Sequence, residues 1–116
     1  MGTFVISKRL SDEYKFEFVS RKGKPIFTGS NFELRFECEE AIESFKASIE
    51  TYSFLRFKTA KGKSFFKVMK GDKVFAVSRK YSTELMMQKG IDEIVKYGAQ
   101  SEILDFSSGD SIFSEM

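Results

Sequence analysis

Residues 14–18 read Tyr14-Lys15-Phe16-Glu17-Phe18, and residues 64–69 read Ser64-Phe65-Phe66-Lys67-Val68-Met69. The first stretch alternates apolar and charged side chains, the period of a strand that buries one face and wets the other. Phe66-Lys67-Val68 continues the same alternation, with Phe66 and Val68 standing 50 residues after Phe16 and Phe18. Working outward, Phe4 and Lys8 recur as Phe54 and Lys58 at the same offset of 50. Gly23, Ile26 and Phe27 recur as Gly71, Val74 and Phe75 at 48, and Phe32, Ala41, Ile42 and Phe45 as Tyr81, Gly90, Ile91 and Ile94 at 49. The offset changes where turns or bulges belong. Two copies are too few for a solenoid, so the pattern reads as a duplicated unit inside one pseudo-symmetric domain.

Each unit switches its hydrophobic period from two to about 3.6 at the same place. Arg21-Lys22-Gly23-Lys24-Pro25 and Lys70-Gly71-Asp72-Lys73 carry turn chemistry and lead into Ile26-Phe27-Thr28 and Val74-Phe75-Ala76-Val77. Then Ala41, Ile42, Phe45 and Ile49, and again Met87, Gly90, Ile91 and Ile94, fall at helical spacing. Helices are expected over about 34–50 and 83–97, the second with Ser82 or Thr83 as N-cap and Gly98 as its stop. Leu104-Asp105-Phe106 repeats Leu55-Arg56-Phe57 at an offset of 49, which supplies a last strand near Glu102–Phe106. The expected fold is α+β: a β-β-β-α unit twice plus a C-terminal strand, with two helices on one face of a single antiparallel sheet. One domain covers residues 1–106, with repeats over about 3–52 and 53–106, and residues 107–116 read as a flexible acidic tail.

Composition excludes several functions. The 116 residues include 14 Phe and one Cys but no His, which removes the usual general base and the commonest metal ligand. A lone thiol forms no disulfide within one chain and no Cys/His zinc site. Cys38 lacks a histidine to activate it and, one turn before Ala41 and Ile42, reads as a small buried helix residue. Glu37, Glu40 and Glu43 share one helix face and read as solvated rather than catalytic. Lys61-Gly62-Lys63-Ser64 ends like a phosphate-binding loop, but Phe57 stands where that motif needs a further glycine, so a hairpin turn is expected. Neither catalytic residues nor a cofactor or metal site is assigned, and the chain is expected not to be an enzyme. The start, Met1-Gly2-Thr3-Phe4-Val5-Ile6-Ser7-Lys8, has no leader pattern and no apolar run spans a membrane, so a cytoplasmic location with a reduced thiol is expected.

The formal net charge of +2 hides a segregation. Residues 56–80 hold nine cations against Asp72 alone, a net +8, whereas residues 33–50 and 100–116 each carry a net −4. Solvated charge balanced in three dimensions is the simpler reading. The sharper one is an anionic-ligand face built from Arg56, Lys58, Lys63, Phe65 and Lys67, where bases of a single-stranded nucleic acid stack on Phe65 while lysines track the phosphates. If Phe66 and Val68 face the helices, Phe65, Lys67 and Met69 share the open face, but so do Lys15, Glu17 and Val19 from the first unit. The favoured function is therefore a small non-enzymatic interaction domain that binds a protein partner or itself, with single-stranded nucleic-acid binding as the alternative.

The tandem Phe-x-x-x-Lys, the aromatic strand, the Gly turn before Ile/Val, and Ser78-Arg79-Lys80-Tyr81 followed by a helix with Gly90-Ile91 together resemble the YegP-like family of small bacterial proteins of unknown function. The resemblance runs from about Phe4 to Phe106, and the first unit departs from it with Phe32 in place of the Tyr and Ala41 in place of the Gly. It implies β-β-β-α-β motifs that join in one sheet by exchanging their last strands. It brings no catalytic or binding residue with it.

Overall fold

A computed structural model describes residues 2–107. Three strands open the chain, β1 (Thr3–Lys8), β2 (Tyr14–Val19) and β3 (Pro25–Phe32), followed by helix α1 (Arg35–Ala47). The order then recurs as β4 (Ser53–Lys58), β5 (Ser64–Lys70), β6 (Lys73–Ser78) and α2 (Glu84–Tyr97), and β7 (Glu102–Asp105) closes it. Both expected helices are present. Thr83 caps α2 by accepting a hydrogen bond from the Met86 N–H at 3.1 Å, and Gly98 is its C-cap. Leu34 precedes α1 without a side-chain acceptor, and Glu37 reaches back instead, its Oε1 accepting from the Leu34 N–H at 3.0 Å. Of the tail expected over 107–116, residues 108–116 lie outside the described residues.

The seven strands form one sheet in the order β4-β5-β6-β3-β2-β1-β7. Five of its ladders are antiparallel, as expected, but β7 lies parallel to β1, with Phe4 opposite Ile103 and Ile6 opposite Asp105. The sheet is therefore mixed, not wholly antiparallel. The reason is the route: three antiparallel ladders separate β6 from β1, so β6 runs opposite to β1, and β7, which comes back antiparallel to β6 after α2, lies parallel to β1. The strand after α1 pairs with β5 of the second set, and the strand after α2 returns to β1 of the first. At the centre β3 and β6 meet, Phe27 opposite Ser78 and Thr28 opposite Val77.

Both helices pack on the same face. Phe4, Ile6, Phe16, Phe18, Phe27, Phe66 and Val68 from the strands join Cys38, Ile42, Phe45, Met87, Ile91 and Ile94 from the helices in one buried cluster. Phe45 of α1 sits at its middle, stacked on Phe75 of β6 with centroids 4.8 Å apart and planes at 15°. It also meets Phe4 and Phe27 edge-on. The Phe-rich composition is thus largely core, with rings in tilted and edge contacts that a quadrupole favours.

Candidate functional site

The periodicity of β4 and β5 assigns their side chains to faces. Phe66 and Val68 are fully buried under the helices, so Phe65 and Lys67 lie on the open face, joined by Leu55 and Phe57 from β4. Phe57 and Phe65 stack there with centroids 5.2 Å apart, and the Lys67 ammonium lies 5.2 Å from the Phe57 ring. Arg56 is opposite Phe66 and so belongs to the helix side, where its guanidinium hydrogen-bonds Gln88 Oε1 of α2. Lys58 points the same way and its Nζ is 3.4 Å from the Glu84 carboxylate. Lys63 is in the β4–β5 turn, beside Gly62 at φ +84°. The five residues singled out from sequence are therefore divided: Phe65 and Lys67 on the open face, Arg56 and Lys58 held toward α2, Lys63 at a hairpin tip.

A row across the open face makes the same point. Register carries it through Leu55, Lys67, Val77, Thr28, Glu17, Val5 and Leu104, with one cation, one acid and otherwise neutral side chains. This is a mixed surface rather than a basic one. The sheet ends differ in charge. Edge strand β4 carries Leu55-Arg56-Phe57-Lys58, and edge strand β7 with the residue after it carries Glu102-Ile103-Leu104-Asp105-Phe106.

The cations that do converge lie elsewhere. Where β6 ends, Ser78 Oγ accepts from the Phe66 N–H at 2.8 Å and donates to the Arg79 carbonyl at 2.7 Å, which replaces ladder bonds and lets the chain leave the sheet. Backbone bonds from Arg79 N–H to Ile26 O (3.0 Å), and both ways between Ser64 and Tyr81 (2.8 and 2.7 Å), then fix residues 79–81. A cleft of about 410 Å³ opens between this segment, the β2–β3 turn and α2. Arg21, Lys22 and Lys24 come from the turn, Arg79 from the end of β6 and Lys89 from α2, with Glu93 as the single acid. None of the five cations forms an ion pair among the described residues.

Tyr81 forms part of the wall of this cleft. The residue is 6% exposed, and the Arg79 guanidinium carbon lies 5.1 Å from the ring centroid. The hydroxyl rests on α2 at Gly90, where a Cβ would come within 2.5 Å of the oxygen. Tyr81 and Gly90 are thus a steric pair, which explains why the first unit changes both together: Phe32 has no hydroxyl and Ala41 has a methyl in its place. Burial raises the Tyr81 pKa, with the Arg79 charge opposing, so the phenol is a donor at neutral pH. No described residue hydrogen-bonds that hydroxyl, and among the described residues no buried side-chain oxygen or nitrogen lacks a partner, so it stays in contact with solvent. Charge counted along continuous stretches of sequence does not disclose this group. Arg21-Lys22-Gly23-Lys24 lies outside the 56–80 segment and reaches Arg79 only through the β3–β6 pairing.

Cys38 is fully buried, and burial, followed by the nearby Asp105 charge, pushes its thiol up to about 12. That suits a core residue and not a nucleophile. Glu43 approaches Lys46 at 3.9 Å on the surface, and Glu37 serves the helix start. No helix among the described residues is long and apolar enough to cross a membrane.

Comparison with known proteins gives the fold a context. No protein-family model matches the chain. It is 23% identical over 113 residues to a UPF0339 protein of Photorhabdus laumondii, covering 95% of this chain and 98% of that one. The solution NMR structure of YegP from E. coli, a protein of unknown function, superposes with a TM-score of 0.76 at 21% identity, covering 91% of this chain and 93% of that one. The NMR structure of a UPF0339 protein from Shewanella oneidensis gives 0.80 at 21% identity, over 91% and 92% of the two chains. The resemblance read from the residues is thus borne out for the fold, and these neighbours supply no activity to transfer.

Proposed function

We propose that the chain works as a small non-enzymatic interaction domain that joins copies of itself through its two sheet edges. One observation carries this reading: the edges have the same apolar spacing and opposite charge, Leu55-Arg56-Phe57 on β4 and Leu104-Asp105-Phe106 at β7. Following the ladders across the sheet, β4 runs opposite to β7. A neighbouring copy that continues the sheet therefore meets β7 with β4 in antiparallel sense. In the register that opposes Arg56, which in the single chain bonds Gln88, to Asp105, which bonds Arg35, Leu55 faces Phe106 and Phe57 faces Leu104, all four on the open side. These four side chains are 47%, 60%, 39% and 42% exposed in the single chain, so the join removes apolar surface from water. No described strand pairs with the outer edge of β4 or β7, and unpaired edges are templates for strand addition.

The nucleic-acid alternative has less support, because the cations it needs beside Phe65 are divided between two faces. The edge join is heterologous, so it is not satisfied by a two-fold pair and adds copies until a ring closes or an open chain grows. Light scattering over a concentration series is expected to show a mass that grows past two copies and falls in Arg56→Glu. A strictly monomeric particle at high micromolar concentration, at low salt, refutes the reading.

A further inference from the structure

We propose that the cleft between the β2–β3 turn and α2 is a binding site for a small phosphorylated ligand of about nucleotide size, held by Arg21, Lys24, Arg79 and Lys89. The cleft volume of about 410 Å³ lies within the range of small-molecule sites, which are typically about 300–1,000 Å³. Its wall combines two chemistries. Cations from three separate elements surround it without an internal partner, and guanidinium groups present the planar fork that matches phosphate oxygens. Tyr81, Tyr97, Ile26 and Met86 supply flat and apolar surface against which the body of the ligand rests. The Tyr81 hydroxyl adds one solvent-facing donor beside Gly90.

The fold contains an internal control. A second cleft of about 350 Å³ occupies the place related to it by the repeat, between the β5–β6 turn and the middle of α1, lined by Phe32, Ala41 and Tyr52. There, Lys70 is already engaged, its Nζ 2.8 Å from Thr51 Oγ1 and 4.7 Å from the Tyr52 ring centroid. At the sequence offset of 49, Ser30 stands for Arg79, Phe32 for Tyr81 and Glu40 for Lys89. Folding alone is therefore satisfied by neutral or acidic residues at these positions. The second cleft keeps two turn lysines, Lys70 and Lys73, and the Tyr52 phenol, so what sets the first cleft apart is Arg79 and Lys89 beside Tyr81.

The test is a titration followed by ¹H–¹⁵N spectra of the intact chain, with adenosine monophosphate, inorganic phosphate and adenosine as probes at low salt. Adenosine monophosphate is expected to give saturable shifts confined to the amides of residues 20–24, 79–81 and 86–97, and phosphate to compete with it. Arg79→Glu and Lys89→Glu, both at exposed positions, should each weaken binding about tenfold or more and keep dispersed spectra. Arg56→Glu should leave this binding unchanged while it reduces self-association, so the cleft and the edge readings fail separately. The proposal is overturned by shifts that do not saturate, by shifts spread over lysines on every face, by adenosine binding as well as its phosphate, or by binding that survives both cleft variants.

Discussion

Phe45→Ala tests the claim that one core unites both halves of the chain. Phe45 is fully buried and touches Phe4 and Phe27 from the first strand set, Phe75 from the second, and Tyr52 between them. Its removal forfeits the transfer free energy of a whole ring and leaves a void that stiff aromatic neighbours fill poorly, a loss of about 3–5 kcal/mol. A domain of this size has roughly 5–15 kcal/mol in total, so the variant should remain folded but marginal. Urea unfolding at neutral pH reads the change as a lower midpoint with an unchanged slope. Phe45→Leu is the milder companion at about 1–2 kcal/mol. Combined with Phe75→Leu, it closes a double-mutant cycle on the stacked pair, whose coupling should be about 0.5–1.5 kcal/mol. A loss below about 1 kcal/mol for Phe45→Ala would show that the site collapses freely. Two separate unfolding transitions, or strict additivity in the cycle, would show that the halves are independent, and either result refutes the single-core account.

Two further outcomes follow from buried and paired groups. Cys38 should resist Ellman's reagent in the folded chain and react only as the chain unfolds, because its thiol is buried with a pKa pushed up to about 12; fast labelling in native buffer contradicts this. Burial alone would raise the Asp105 pKa, but hydrogen bonds from the Ser107 hydroxyl and N–H and from Arg35 at 2.9 Å outweigh it, so the carboxyl sits below its ordinary value. A depressed carboxylate stabilises the fold above the unfolded-state pKa, and that contribution is lost as pH falls through the folded-state value. Asp105→Asn should accordingly lower the urea midpoint near neutral pH and converge with the parent in acid; a gap that persists at low pH assigns the effect to packing.

The degree to which the sequence disclosed this protein differs by feature. The faces of β2 and β5 were legible because a period of two is local: Phe16, Phe18, Phe66 and Val68 announce burial by their neighbours alone. The two helices were legible from an equally local spacing, and residue type narrowed the α2 cap to Ser82 or Thr83, of which the structure uses Thr83. The candidate site was not. Arg56 and Lys58 looked like companions of Lys67 because they are near in sequence, yet the pleat sends Arg56 and Lys67 to opposite faces. Arg21 and Lys24 looked like ordinary turn solubilisers, since nothing in their vicinity names Arg79 or Lys89.

What the sequence determined alone is the succession of elements, which sides of β2 and β5 go inward, and the exclusion of histidine-based chemistry. These depend on side-chain type and on spacings of two to four residues. The tertiary structure decided that β7 lies parallel to β1, that β3 and β6 meet at the centre of the sheet, and that this meeting brings the β2–β3 turn to one side of α2. Those outcomes depend on pairings between residues some 50 to 100 positions apart, such as Ile26 with Arg79 and Phe4 with Ile103. No local pattern encodes them. They are selected by the combined burial of the Phe-rich faces, and they turn scattered surface charges into a cleft at one side and opposite charges at the two edges.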